Sequence, residues 1–297
     1  MRILCVHAHF DDFEFVASGT FELWRRRLGS DLRARVLVCG DGKAGHQFRT
    51  REETGLLRLK EQEESARLGS YEFQLLRLPN GQAPREACLS CTPDFLAALW
   101  KAIRDFQPDY LVCPPLATDP LVGIHSDHQA VAEAVRRVAY MINVPHAFTP
   151  EYPADETQSE PCPVPVILNV YDSYFNGENP FDLAVNVEGA FEHICRVSFC
   201  HQSQLVEWLP WVGRHQMQPP RTLEEWSRMM RERLERRNRE LGLEIRPIME
   251  VFTVTAWGEV PTLARLEKDW PDLARSSSNL DRLRKRLARW RGDGLEQ

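Results

Sequence analysis

The run Arg2-Ile3-Leu4-Cys5-Val6 opens directly into His9-Phe10-Asp11-Asp12, so a nitrogen donor and two adjacent carboxylates stand where a buried strand ends. A short apolar run that gives way to a polar turn is the usual start of a parallel α/β sheet, whose reactive groups gather at the carboxyl ends of its strands. The pattern then repeats. Strand-like runs at 2–7, 33–39, 72–77 and 110–113 alternate with helical periods at 14–28, 52–68, 94–106 and 127–142. Such alternation predicts βαβ units, and therefore a Rossmann-like α/β fold with a mostly parallel sheet and helices on both faces. Further strand-like runs at 166–171 and 183–187 follow, then a helix over 189–208, an amphipathic helix at 222–241 (Leu223, Trp226, Met230, Leu234) and a last strand at 249–257. We expect an α/β domain over 1–210 and a C-terminal helical and strand extension over 211–297, packed on the core.

Neighbouring aspartates in a turning backbone project in different directions, so one can ligate a metal while the other addresses water. His9 lies three residues before Asp12, a spacing that lets both converge on one ion as a helix begins. An acidic helix N-cap is the plainer alternative for this pair. A second constellation favours the metal: His125-Ser126-Asp127-His128 precedes the helical run Gln129-Ala130-Val131-Ala132-Glu133-Ala134-Val135 and follows the strand-like Tyr110-Leu111-Val112-Cys113. His125 and His128 share a face of that first turn, and Asp127 is placed to orient an imidazole. Together the two clusters hold the parts of a hydrolytic zinc site with an open coordination position. His7, two residues before His9, remains a competing ligand or a wall residue. His46, His146, His193 and His215 lack ligand spacing.

These residues resemble the PIG-L/LmbE family of zinc-dependent N-acetylglucosaminyl deacetylases. The resemblance rests on His9-Phe10-Asp11-Asp12-Phe13-Glu14 with Ala17-Ser18-Gly19-Thr20, Gly40-Asp41-Gly42-Lys43-Ala44-Gly45, Arg58-x-x-Glu61, Leu78-Pro79-Asn80-Gly81, the His125 motif and His201-Gln202-Ser203-Gln204. It implies one zinc per chain, with another divalent ion as the alternative, on His9, Asp12 and His128. It also implies Asp11 as general base, His125 held by Asp127 against the oxyanion, and Arg58, Asn80 and His201 around the sugar. Phe10 and Ser126 replace the family's motif prolines, and Gly123 stands where some members carry a tyrosine. The implied activity removes an N-acetyl group from a small molecule that contains N-acetylglucosamine. An amidase for a sugar-thiol conjugate and a non-catalytic metal or sugar-binding module are the alternatives.

A net charge of -6 argues against nucleic acid or an anionic membrane as partner. No apolar stretch is long enough to span a bilayer, and the expectation is a cytoplasmic enzyme with reduced cysteines. Cys88-Leu89-Ser90-Cys91 has no second pair to complete a zinc knuckle. Gly40-Asp41-Gly42 follows the second strand and lacks the dinucleotide-binding pattern. The proline-rich stretch 144–165 reads as a long wall-forming connection. From Ser276 a basic amphipathic helix carries Leu280, Leu283, Leu287 and Trp290, suited to packing or to docking a homo-oligomer.

Overall fold

The computed structural model describes residues 1–144, 146–148, 151, 161–175 and 179–293. Much of the proline-rich connection expected to wall the site therefore lies outside the described residues. Seven strands form one sheet: β1 (Arg2–His7), β2 (Arg33–Val38), β3 (Glu72–Leu75), β4 (Tyr110–Cys113), β5 (Val166–Val170), β6 (Leu183–Asn186) and β7 (Met249–Val254). Their order is β3-β2-β1-β4-β5-β7-β6. The first five pair in parallel, and β7 runs antiparallel to both β5 and β6. The chain winds outward from β1 to β3, then returns and winds the other way through β4 and β5. Between β1 and β4 lies the switch point at which such sheets open a crevice. Both histidine motifs emerge there.

Alternate residues of β1 feed opposite faces. Ile3 and Cys5 enter one core cluster, Leu4 and Val6 the other. Helices α4 (Pro93–Phe106) and α5 (Ser126–Met141) cover the second face, where Phe95, Leu99, Ile103, Val131 and Val135 pack against Leu4 and Leu111. On the first face lie α2 (Ser18–Leu28), α6 (Phe191–Ser198), α8 (Leu223–Glu240), α9 (Leu263–Asp269) and α10 (Leu280–Arg291). Helix α3 (Arg51–Gly69) begins with a capping box in which Thr50 and Glu53 each satisfy the other's backbone N–H.

Three elements differ from expectation. The helix expected over 14–28 breaks at Ala17 into α1 (Asp12–Val16) and α2. The reason is Glu250, a buried carboxylate on β7 that accepts from the Gly19 and Thr20 N–H groups and the Thr20 hydroxyl. It needs the amino end of α2 free, and an anion there is favoured by the helix dipole. A Cβ on Gly19 would lie 2.8 Å from Ile194 and 3.0 Å from that carboxylate, which explains the glycine. The helix expected over 189–208 is likewise interrupted. Alpha-helix α6 ends at Ser198, a π-helical turn occupies Ser203–Trp208, and α7 (Leu209–Val212) follows. Glu61 accepts from both the backbone N–H and the hydroxyl of Ser203, so a side chain from α3 holds the restart. Finally, α9 is additional, marked only by its Thr262 N-cap.

The last third of the chain completes the sheet, since β7 sits between β5 and β6. Its α10 lays Leu283 and Leu287 into the core, and Arg286 pairs with buried Asp182. The stripe of apolar residues read from the sequence thus meets its own protein. Truncating Leu283 to Ala should cost about 2–5 kcal/mol, whereas Lys285→Ala on the exposed side should stay within about 0.5 kcal/mol. Denaturant unfolding of the two variants checks this. Equal stability for both would show that α10 is not docked.

Candidate metal centre

The turn after β1 presents three polar side chains, His9, Asp11 and Asp12, on the rim of the sheet. Asp11, at the N-cap of α1, takes the left-handed conformation with φ 91°, uncommon for a residue with a Cβ. That twist sends Asp11 and Asp12 in different directions. Asp12 Oδ2 accepts the backbone N–H of His9 at 2.8 Å and lies 2.5 Å from His7 Nδ1. The same oxygen is 3.2 Å from His9 Nδ1 and 3.4 Å from His128 Nε2. His9 Nδ1 and His128 Nε2 are themselves 3.2 Å apart.

These three atoms form a near-equilateral triangle. Ligands at about 2.0–2.1 Å from a tetrahedral zinc are separated by roughly 3.3–3.4 Å, so the triangle matches one face of such a site. The far nitrogen of each ring is held by a carboxylate. His9 Nε2 is 3.1 Å from Asp127 Oδ2, and His128 Nδ1 is 2.6 Å from Asp172 Oδ2. Donation of those ring protons to carboxylates leaves the inward nitrogens as lone pairs facing each other and Asp12, a repulsive arrangement that a cation relieves. The donor set fits a divalent ion with one position left open. Two related sets also fall within reach of one another: His7, Asp12 and His128, and His9, His125 and His128.

The electrostatics agree. Burial disfavours charge on the imidazoles, yet Asp12 with Asp127 lifts His9 to about 9, and Asp12 with Asp172 lifts His128 to about 10. Against its own burial, Asp12 is held well below the usual carboxylate range by His7, His128 and His9. A cage that retains a proton this firmly is one that attracts cations. Burial pushes Asp11 up to about 6, opposed chiefly by the Arg58 guanidinium 3.7 Å away.

Of the residues named from the sequence, His9, Asp11, Asp12, His125, Asp127 and His128 come together. Their roles within the cluster are partly redistributed. Asp127, fully buried and fixed by the N–H groups of Ala87 and Leu89, stands behind His9 rather than holding the His125 ring. His125 is instead the N-cap of α5, its Nδ1 accepting the Asp127 N–H at 3.2 Å, and among the described residues its Nε2 has no hydrogen-bond partner. The Arg58 guanidinium is buried and engaged, donating to Glu86 at 2.8 Å and to the Phe10 carbonyl at 2.8 Å. Asn80 sits on an exposed turn, where it accepts the Gln82 N–H. His201 is wholly buried, 3.4 Å from Glu14. None of these last three lines the cavity that opens on the centre.

That cavity, about 1170 Å³, is bordered by His7, Asp11, Asp12 and His128 at one end and by Tyr174 and Arg233 among others beyond. Asp172 and Tyr174 were not anticipated from sequence. Asp172 follows the carboxyl end of β5, the strand beside β4, and the Tyr174 N–H fixes its other oxygen at 2.8 Å. The Tyr174 ring stands edge-on to His125 and His128, with centroids 5.5 and 5.6 Å away. An acidic residue directly after an apolar strand was the available signal, the same one that marked Asp12.

Among the described residues no helix is long and apolar enough to cross a membrane. No curated protein matches the chain. Similar solved structures include N,N'-diacetylchitobiose deacetylase from Pyrococcus horikoshii, at 19% identity and a TM-score of 0.63, covering 86% of this chain and 84% of that one. A conserved protein from Thermus thermophilus matches at 20% identity and a TM-score of 0.58, over 85% of this chain and 93% of that one. The 4-carboxy-2-hydroxymuconate hydratase from Pseudomonas putida matches at 15% identity and a TM-score of 0.56, over 86% and 95%. These likenesses establish the fold. Residues 4–139 match the PIG-L family, described as GlcNAc-PI de-N-acetylase, and that segment contains most of β1, both histidine motifs and most of α5. Over residues 4–139, a little under half its length, the chain is similar to the PIG-L family.

Proposed function

We propose that the protein is a metal-dependent deacetylase that hydrolyses the N-acetyl group of a small molecule containing N-acetylglucosamine. His9, Asp12 and His128 would hold the zinc. The observation that carries this reading is the triangle of inward lone pairs, each imidazole backed by a carboxylate, with a further part-buried carboxylate, Asp11, lining the same cavity. Binding of a metal alone would not require Asp11 or the free nitrogen of His125. The deacetylase named among the structural neighbours and the family's description favour the acetamide as the bond broken.

When bound, the ion supplies Lewis acidity towards the acetamide oxygen and lowers the pKa of an attacking water. Asp11 accepts the proton of that water as its oxygen bonds to the carbonyl carbon. His125 Nε2 donates to the developing oxyanion. The carbon–nitrogen bond then breaks, Asp11 returns the proton to the leaving amine, and acetate and the free amino sugar result. His7 keeps Asp12 oriented through the 2.5 Å contact to its ligand oxygen.

Release of acetate and amine from a panel of N-acetylglucosaminides tests the activity directly. Asp11→Asn should keep the metal, shown by elemental analysis, and lose about 10²- to 10⁴-fold in kcat. His128→Ala should lose the metal. Full occupancy in His128→Ala, or wild-type turnover in Asp11→Asn, refutes the assignment.

Asp172→Asn removes the charge that stands behind His128 Nδ1. Metal affinity measured by chelator competition should fall about 10- to 100-fold. An unchanged affinity would mean that Asp172 does not support His128 as a ligand.

A further inference from the structure

We infer that Arg233 is a binding residue for an oxoanion, a phosphate or carboxylate, carried by the substrate away from its acetamide; this rests on the deacetylase reading of the centre. Helix α8 turns Arg233, Arg236, Arg237 and Glu240 along the cavity at spacings of three, four and seven, so one face of the helix forms the wall beyond the metal centre.

The three arginines are not equivalent. Arg237 is buried and committed, donating to the carbonyls of Phe15 and Met249, so it joins α1 to β7. Arg236 is largely exposed, its Nε 3.9 Å from Glu240, in a position where solvent screens it. Arg233 is part-buried, and its guanidinium makes no hydrogen bond or ion pair with any described residue. It lies over the Phe15 ring, 4.5 Å from its centroid.

That stacking has a geometric consequence. A guanidinium lying over an aromatic face keeps its edge free, and the edge carries the paired N–H donors that match two oxygens of a carboxylate or phosphate. Arginine cannot relieve its situation by losing a proton, and a partly desolvated cation without an acceptor is costly. Burial also pushes this guanidinium below its ordinary value, with the Tyr171 hydroxyl and Asp11 opposing only in part. A group in this state beside a reaction centre is suited to accept an anion. Beside the metal centre the cavity is lined by Asp11, Asp12 and Asp172, carboxylates that disfavour an oxoanion there. The two ends therefore impose a direction: acetamide towards the carboxylates and imidazoles, oxoanion towards α8. Helix α8 lies outside residues 4–139, so this selectivity belongs to the part of the chain not matched to the family.

The test compares methyl N-acetylglucosaminide with N-acetylglucosamine 1-phosphate and with a carboxymethyl N-acetylglucosaminide, using the zinc-loaded full chain, wild type and Arg233→Met. Binding is read by calorimetry and turnover by acetate release. The wild type should prefer at least one anionic compound over the neutral one by roughly 10- to 100-fold, and whichever is preferred identifies the oxoanion. In Arg233→Met the anionic-to-neutral ratio should collapse towards one through KM and Kd, with zinc content and Tm retained, and Arg233→Lys should restore part of it. A preference that persists in Arg233→Met places the anion at the metal and overturns the proposal. So does a loss in kcat shared equally by the charged and neutral substrates. Should no glucosaminide be turned over, the deacetylase reading fails by itself, and the calorimetric ratio still decides whether Arg233 receives an anion.

Discussion

The approach of three lone-pair donors, His9 Nδ1, Asp12 Oδ2 and His128 Nε2, to between 3.2 and 3.4 Å of one another is the constraint that the surrounding structure serves. Left to themselves such groups would separate. Each is prevented from doing so by a partner from elsewhere in the chain: Asp127 behind His9, Asp172 behind His128, and the His9 N–H on Asp12. Those partners are fixed in turn. The N–H groups of Ala87 and Leu89 hold Asp127, and that of Tyr174 holds Asp172. The loops after β1, β3, β4 and β5 are thereby tied to one point, which is possible because all four strands run parallel and end on the same rim.

The final third of the chain shapes the other side of the cavity and stabilises the first third. From β7, Glu250 reaches the amino end of α2, and from α8 Arg237 reaches the carbonyl of Phe15 on α1. Both contacts bear on the segment that follows the acidic motif. The wall that carries Arg233 is therefore positioned by the same interactions that seat α1. Residues 12–20 thus contact both the β7 carboxylate and the α8 wall.

Local signals were legible where chemistry and secondary structure coincide. The His9 and His125 motifs each follow an apolar strand, and the alternation of strands with helices suffices to place both on one rim. The antiparallel insertion of β7 between β5 and β6 was not legible, because strand periodicity carries no information about neighbours. The role of Asp172 is hidden in the sequence for a related reason. It stands 44 residues from His128 in the chain, and only the adjacency of β4 and β5 brings it to 2.6 Å. The placement of Arg58 by resemblance gave no hint of Glu86, which occupies one side of its guanidinium. Breaks at Ala17 and after Ser198 depended on Glu250 and Glu61, acceptors distant in sequence that a helical period does not reveal.

Position 10 shows how the turn remains ordered without a proline. A proline restricts its backbone through a covalent ring. Phe10 is instead fully buried, 5.8 Å from the Phe73 ring and 5.6 Å from the Arg58 guanidinium, which also takes the Phe10 carbonyl at 2.8 Å. Its ring fills the space that a Cβ on Gly42 would need, at a distance of 2.1 Å, and Gly42 has φ +66°, where a side chain would be strained as well. Packing and one hydrogen bond thus replace a dihedral constraint, and the Gly40-Asp41-Gly42 segment acquires a structural purpose unrelated to phosphate binding. Restoring a proline at position 10 would stiffen one angle while emptying the volume of an aromatic ring beneath Gly42, and voids of that size destabilise by several kcal/mol, on the order of 3–5. The turn that presents Asp11 and Asp12 is consequently bound to its neighbours as a unit rather than residue by residue.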